Sequence, residues 1–127
     1  MIKRNYREWA DICEANGGLT INLDTEDMPL GQVTDLYSVG GATLRVVEMG
    51  NIGEDYADVL KRATVAATGK GVQWLGAWVV GVGKRTALIA EAVTLHTDRA
   101  EAMRVAEERG QDAIFNLKGE GETIFLR

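Results

Sequence analysis

The stretch 72-VQWLGAWVVGVGKRTALIAEAVTLH-96 decides the fold, because it predicts two long apolar strands joined by a short turn. The strands cover residues 72–82 and 86–96, and the turn lies at residues 83–85. Successive residues of a strand point to opposite faces of its sheet. In the first strand both sets are apolar, so we expect that strand to be central in its sheet.

Two helices are predicted before this pair. The first covers residues 6–15, where Asn5 can cap the helix and Glu8 completes a capping box three residues later. The second covers residues 54–68 and carries an apolar stripe at helical spacing. Glycines follow both segments and favour helix ends there.

The last 31 residues, 97–127, predict a helix followed by a hairpin. Asp98 caps the helix with Glu101 as its box partner, and Gly110 ends it. Alternating apolar residues at 113–117 and a returning strand at 123–126 form the hairpin around a glycine-rich turn.

Shorter strand patterns complete the chain. Residues 19–23 alternate clearly, and weaker patterns cover 32–39 and 43–48 with a Gly-Gly turn between them. We predict an α+β fold: a mainly antiparallel sheet of about five to seven strands, with about three helices packed on it. A parallel pair remains open where a helix connects two strands.

The composition is that of an acidic globular chain. Charged residues make up 26% of the 127 residues, and the formal net charge is −5. General nucleic-acid binding needs a basic face, so this balance argues against it. The length matches one domain, and we predict a single globular domain over residues 1–127.

The cellular setting follows from what the sequence lacks. Cys13 is the one cysteine, which excludes an internal disulfide and a zinc site built from several cysteines. Its apolar helical pattern indicates a small buried side chain. The N-terminal segment has no signal-peptide pattern, and the apolar stretch at 72–83 is too short to span a bilayer. We expect a cytoplasmic protein without a membrane partner.

Residues 81–86, GVGKRT, share part of the phosphate-binding P-loop. That motif needs a first glycine where Trp78 stands, and a Ser or Thr where Arg85 stands. A hairpin turn is the better interpretation. We therefore assign no nucleotide motif to this segment.

A small-ligand pocket is predicted from four residues near the two long strands: Trp74, Trp78, Glu91 and His96. Tryptophans can stack on a base, although no Lys or Arg is interleaved with them and core packing is the competing interpretation. Glu91 interrupts an apolar strand, which a functional carboxylate would explain. Edge exposure would explain it as well.

Two further alternatives concern these polar residues. Glu91 can be paired with Arg45 or Lys84 rather than serve a ligand. His96, the only histidine, can act as a general base only beside a nucleophile or acid that the sequence does not identify. We therefore assign no catalytic residue, no metal ligand and no cofactor.

Charged side chains in two turns predict a partner-binding surface. The loop with Asp24, Glu26 and Asp27 lacks the spacing of a calcium-binding EF-hand, so we expect it to be solvated. Lys84 and Arg85 lie together at the predicted hairpin tip. Both clusters are candidates for contact with a protein.

Fourteen residues within 72–124 follow a pattern of strand, capped helix and hairpin: Leu75, Gly76, Trp78, Val79, Asp98, Arg99, Ala102, Gln111, Ala113, Ile114, Leu117, Gly121, Glu122 and Ile124. In these positions the chain resembles a group of small uncharacterised proteins of actinobacteria and their phages. The group has Asp where this chain has Asn116, and its acidic position in the second strand is displaced or absent here. The resemblance implies a phage or mobile-element setting and supplies no chemistry.

These observations predict a non-enzymatic accessory or binding protein that acts through contact with a protein partner. The alternative is a small-ligand or nucleotide-binding protein, including an enzyme, with its pocket near Trp74 and Trp78. A structural virion component is a third interpretation. Exposed edge strands allow two copies to pair, so a homodimer is also open.

Overall fold

Two antiparallel sheets and three helices make up the computed structural model, which describes residues 4–42, 48–51, 56–82 and 85–126. The helices are α1 (Tyr6–Asn16), α2 (Tyr56–Gly69) and α3 (Arg99–Glu108). The strands are β1 (Gly18–Asn22), β2 (Tyr37–Val39), β3 (Glu48–Asn51), β4 (Trp74–Val82), β5 (Arg85–Ala92), β6 (Thr94–His96), β7 (Ala113–Asn116) and β8 (Glu122–Phe125). The predicted α+β class, with antiparallel strands and three helices, is confirmed for these residues. The sequence did not indicate the division of the strands between two sheets.

The first sheet has the strand order β1-β4-β5-β3, with every neighbouring pair antiparallel. β4 is therefore an interior strand, as its two apolar faces predict. Ala77 of β4 lies opposite Leu19 of β1 on one side and Ala90 of β5 on the other. All three residues are buried on the face that α1 and α2 cover.

The core between the first sheet and its two helices is dense and apolar. Strand residues contribute one alternating face, and each helix contributes its apolar stripe. The fully buried members include Cys13, Ile21, Val59, Leu60, Ala63, Leu75 and Leu88. Cys13 is thus part of the core, as its helical pattern indicated.

The second sheet has the order β6-β2-β7-β8 and is covered on one face by α3. Val39 of β2, Ile114 of β7 and Ile124 of β8 pack against Ala102 and Ala106 of the helix. Two alanines on the helix allow the sheet and helix backbones to approach closely. The predicted C-terminal hairpin is present as β7 and β8, with Ile114 opposite Ile124.

The prediction of one continuous strand over residues 86–96 is wrong, because the chain leaves the first sheet at Val93. The Val93 amide donates to the Trp74 carbonyl oxygen at 3.0 Å, at the start of β4. Beyond this point β4 offers no further backbone partner. The next residues satisfy their backbone groups in the second sheet, where Leu95 lies opposite Ser38.

Local hydrogen bonds explain where α1 begins and ends. The Asn5 side chain accepts a bond from the Glu8 amide at 3.1 Å, which satisfies one free N–H of the first turn. Gly17 ends the helix at φ +81°, a left-handed conformation that glycine adopts without a Cβ penalty. Among the described residues, no helix has the length and apolar character needed to cross a membrane.

The capping of α3 differs from the prediction in one residue. Asp98 caps the helix, but its side chain accepts from the Ala100 amide at 3.1 Å. Glu101, expected as the box partner of this cap, instead has its carboxylate 2.8 Å from Nδ1 of His96. His96, in the strand before the helix, thus binds the carboxylate that the predicted capping box would have used.

Several predicted bounds fall partly outside the described residues. Residues 43–47 of the strand predicted at 43–48, and residues 54–55 of the second helix, are among them. The same holds for residues 83–84 of the central turn. The strand predicted at 32–39 is shorter in the structure, where β2 covers only its last three residues.

Gly76→Ala should destabilise the fold, because a Cβ at Gly76 would lie 2.5 Å from Val93 Cγ1 and 2.6 Å from Trp78 Cη2. Neither a β-branched side chain nor an indole ring can yield easily. We expect a loss of about 1–3 kcal/mol in the free energy of unfolding, measured by chemical denaturation. Gly81→Ala is the matched control in the same strand, because no atom of the described residues lies within 4 Å of its Cβ. Equal losses in the two variants would contradict this prediction.

Cys13 should resist thiol reagents while the protein is folded. Burial raises the pKa of the Cys13 thiol to about 12, so the reactive thiolate is scarce at pH 8. We expect negligible labelling with a colorimetric disulfide reagent in buffer and full labelling of one thiol in denaturant. Rapid stoichiometric labelling of the native protein would show that this core opens readily.

The pair Asp35 and Asn116 gives a third prediction. The Asn116 amide donates to Asp35 Oδ1 at 3.0 Å, while Asn116 Oδ1 accepts from the Leu36 and Lys118 amides at 3.2 and 3.1 Å. Asp at position 116 could accept both backbone bonds but could not donate to Asp35. Asn116→Asp should therefore lower the free energy of unfolding at pH 7, and adding Asp35→Asn should recover most of the loss, since the bond then forms in reverse.

The pH dependence of this pair has a definite sign. The bond from Asn116 is the first cause that holds the pKa of Asp35 below its usual 3.8. The ionised carboxylate therefore stabilises the fold above pH 3.8, and this contribution is lost as the pH falls through the lowered value. Denaturation curves at pH 7 and pH 3 should show the difference between wild type and Asn116→Asp shrinking in acid. A difference that grows in acid would contradict the assignment.

Candidate functional site

A groove of about 430 Å³ lies between the two sheets, on the face of the first sheet opposite α1 and α2. Its lining from the first sheet includes Trp78, Val80, Ile89 and Glu91. Its lining from the second sheet includes Ala113, Thr123 and Phe125, and Gln111 contributes from the loop before β7. We call this feature the inter-sheet groove.

Apolar side chains at the inter-sheet groove remain partly open to solvent. Trp78, Val80 and Ile89 are half-buried, whereas Phe125 is 68% exposed. The Trp78 ring bends along β4 to cover Gly76, where a side chain would collide with it. Glycine at this position therefore lets the indole lie flat along the strand.

Glu91 is a carboxylate in this mixed lining, which also contains Gln111, Asp112 and Thr123, and only 6% of the Glu91 residue is exposed. Its carboxyl group lies against Gly40, so closely that a Cβ at that position would overlap it. The same Cβ would lie 3.0 Å from Oε1 of Gln111. Gly40 is thus required by the close approach of two side chains to the backbone.

Among the described residues, Arg109 is a cation that interacts electrostatically with Glu91. Its Nη1 donates to the carbonyl oxygens of Val39 and Gly40 at 3.2 and 3.4 Å, and to Thr94 Oγ1 at 2.8 Å. Burial lowers the pKa of Arg109, while the carboxylates of Glu108 and Glu91 oppose that shift. The pairing of Glu91 with Arg45 or Lys84, considered from sequence, concerns two residues outside the described part.

His96 stands in a hydrogen-bonded chain with Thr94 and Glu101. Thr94 Oγ1 lies 2.7 Å from His96 Nε2, and His96 Nδ1 lies 2.8 Å from Glu101 Oε1. Thr94 and His96 share one face of β6 because they are two residues apart. The structure therefore supplies the neighbours that the sequence left unidentified for this histidine.

A second hollow, of about 310 Å³, adjoins this chain and is defined by Trp74, Val72, Ala92, Val93 and Thr94. We call it the Trp74 hollow. Four of these five side chains are apolar, and the Thr94 hydroxyl is the polar group among them. The hollow lies at the point where the chain passes from the first sheet to the second.

The structure thus distributes the four residues predicted to bind a ligand over two places. Trp78 and Glu91 line the inter-sheet groove together, whereas Trp74 lines its own hollow. His96 is hydrogen-bonded to Thr94, which lines that hollow. The switch of sheets after β5 produces this separation.

Sequence reasoning missed Phe125, Gln111, Thr94 and Arg109. The alternation of Thr94 and His96 in a strand pattern was a usable signal for that pair. No local signal could place Arg109 beside Glu91, because the contact joins the end of α3 to the end of β5. The sequence indicated only that Phe125 belongs to the returning strand of the predicted hairpin.

The predicted partner-binding residues lie at two ends of the first sheet. Asp24, Glu26 and Asp27 follow β1, whose Asn22 lies opposite Trp74, while Arg85 lies opposite Val82. These ends are about 27 Å apart at 3.4 Å per residue. Lys84 lies outside the described residues, and of Arg85 only the backbone is described.

Hydrogen bonds from backbone amides of the acidic loop to Asn22 hold the loop in place. Asn22 Oδ1 accepts from the Asp24 amide at 2.8 Å, and the Asn22 carbonyl accepts from the Glu26 amide at 2.6 Å. Glu26 has φ +62°, an uncommon left-handed conformation for a residue with a side chain. Among the described residues, no group of three or more His, Cys, Asp or Glu side chains is placed to hold a metal ion.

Gly40→Ala should cost about 1 kcal/mol in the free energy of unfolding, because the new methyl group forces the buried Glu91 carboxylate to move. In a Glu91→Ala background the loss should be smaller, since the overlap is relieved. A double-mutant cycle by chemical denaturation measures this coupling. Strictly additive losses would show that Gly40 does not act through Glu91.

Three comparisons bear on this arrangement of two sheets, a groove and a polar chain. Searches with the chain found no matching protein-family model, no matching curated protein and no matching solved structure. Function must therefore be inferred from the geometry of the groove and the hollow.

Proposed function

We propose that the chain is a binding protein that engages a protein partner through the inter-sheet groove. The observation that carries this proposal is Phe125, an aromatic side chain that is 68% exposed beside an open apolar groove. Exposed apolar surface of this kind marks interaction sites, and aromatic side chains supply much of the binding energy at interfaces.

The partner segment best suited to this groove is an extended peptide. Phe125 belongs to β8, which stands at the edge of the second sheet and pairs with β7 on one side only. An edge strand can accept a further strand through main-chain hydrogen bonds, while the neighbouring groove receives alternate side chains. Trp78, Val80 and Ile89 offer the apolar contacts for them.

Charge favours a basic residue in that segment. Glu91 and Asp112 both line the groove, and the chain as a whole carries a net charge of −5. Complementary charge raises association rates and favours the correct partner. We infer an extended segment with apolar side chains and one Lys or Arg directed toward Glu91.

The proposed setting is a phage or another mobile element, in which a small accessory protein binds a host or phage protein. The resemblance of residues 72–124 to small proteins of actinobacteria and their phages supports this setting. Nothing in the groove geometry depends on it.

Small-ligand binding is the second candidate, and the presence of Trp78 and Glu91 in the same groove favours it. An aromatic ring and a carboxylate in a space of about 430 Å³ suit an organic cation, and that volume lies within the usual range for ligand pockets. A bound metabolite without a protein partner would favour this candidate.

Phe125→Ser should weaken partner binding by about 2 kcal/mol, or roughly 30-fold in Kd. The partner is first identified by native mass spectrometry of the tagged chain recovered from its own host, and Kd is then measured with the purified pair. Val65→Ser is the matched control, because Val65 is also 63% exposed but lies on α2.

The outcomes separate the candidates. Equal weakening by both substitutions, or by neither, would contradict binding at the groove. A dimer that dissociates on dilution and is lost in Phe125→Ser would identify a second copy of the chain as the occupant.

A further inference from the structure

The chain Glu101–His96–Thr94 places a carboxylate, an imidazole and a hydroxyl in sequence. Glu101 Oε1 lies 2.8 Å from Nδ1 of His96, and Thr94 Oγ1 lies 2.7 Å from Nε2 of the same ring. The imidazole thus bonds to one group through each of its two nitrogens. This is the order of groups that activates a hydroxyl nucleophile in acyl-transfer enzymes.

The hydrogen-bond directions follow from the chemistry of the three groups. An ionised carboxylate can only accept, so in the neutral imidazole Nδ1 carries the proton that is donated to Glu101. Nε2 is then the acceptor, and the Thr94 hydroxyl donates to it. Arg109 Nη1 donates to Thr94 Oγ1 at 2.8 Å, which leaves the hydroxyl proton free to point toward the histidine.

We propose that Thr94 is a nucleophile and His96 its general base, in a site that accepts the acyl group of a small ester. Glu101 is a positioning residue that fixes the tautomer and orientation of His96. This activity goes beyond the partner binding proposed above and uses different residues from those of the inter-sheet groove.

The surroundings of Thr94 suit this substrate class. Thr94 lines the Trp74 hollow together with Trp74, Val72, Ala92 and Val93, and these apolar neighbours suit a short acyl chain. The guanidinium of Arg109 donates to Oγ1, and its positive charge favours the passage of the hydroxyl proton to His96. His96 is largely shielded, with 13% of its side chain exposed.

The reaction balances without any co-reactant except water. Thr94 Oγ1 forms a bond to the ester carbonyl carbon, its proton passes to His96 Nε2, and the bond to the leaving oxygen breaks as that oxygen takes the proton. In the second half, water attacks the acyl carbon and gives a proton to His96 Nε2, the bond to Oγ1 breaks, and His96 passes that proton to Thr94 Oγ1. The products are a carboxylic acid and an alcohol.

The experiment uses p-nitrophenyl acetate with the full chain, measuring p-nitrophenolate release and locating the acetyl group by mass spectrometry. We expect acetyl on Thr94 and a rate about 100-fold or more above that of Thr94→Val or His96→Gln. Thr94→Ser should retain activity, because it keeps the hydroxyl. Thr68→Val, an exposed threonine at the end of α2, is the control and should match wild type.

Glu101 needs a readout that a purely structural role would not move. Glu101→Gln should lower kcat for acylation and leave KM little changed, because a neutral amide oxygen accepts more weakly than a carboxylate from His96 Nδ1 and holds the ring less firmly. Glu101→Asp should restore part of the rate. Thermal unfolding of each variant confirms that it is folded.

Three results would overturn the proposal. The first is an acetyl group on His96 with full activity in Thr94→Val, which would make the histidine an ordinary surface nucleophile. The second is release no faster than that of Thr94→Val. The third is activity unchanged in both His96→Gln and Glu101→Gln.

Discussion

The antiparallel ladder between β4 and β5 is the constraint on which both sheets depend. It runs through eight residue pairs, from Leu75 and Ala92 to Val82 and Arg85. On one face it carries the core under α1 and α2, and on the other it forms the floor of the inter-sheet groove. The place where it ends, at Trp74 and Val93, fixes where the chain crosses into the second sheet. Both candidate sites therefore take their positions from the length of this ladder.

The sequence predicted the elements well where local signals agree with packing. The alternation in β4 placed Leu75 and Ala77 on one face and the two tryptophans on the other, and the structure has the same arrangement. Asn5 and Gly17 set the ends of α1 through bonds and conformations that depend on adjacent residues. Such features are legible because their causes lie within a few positions of each other.

The crossing at Val93 and the composition of the site were not predictable in the same way. Apart from Glu91, residues 86–96 keep an apolar strand pattern up to Leu95, so nothing local marks the point at which hydrogen bonding passes from β4 to β2. Glu91 was correctly noticed as unusual, but its surroundings at Gly40, Gln111 and Arg109 arise from separate elements. Asn116 was noted only as a departure from a pattern, whereas in the fold it bonds to both a carboxylate and the backbone.

Arg109 has a consequence for how the two cavities communicate. Its guanidinium donates a hydrogen bond to Thr94 beside the Trp74 hollow. It also interacts electrostatically with Glu91 in the inter-sheet groove. A cationic occupant that binds Glu91 competes with Arg109 for the same carboxylate, and the electrostatic field at the Thr94 hydroxyl then changes. If both cavities bind ligands as proposed, occupancy of one changes the affinity of the other, and thermodynamic linkage makes that coupling reciprocal. The half-buried Arg109 would then make the two proposed sites interdependent, so that a substitution at one alters the other.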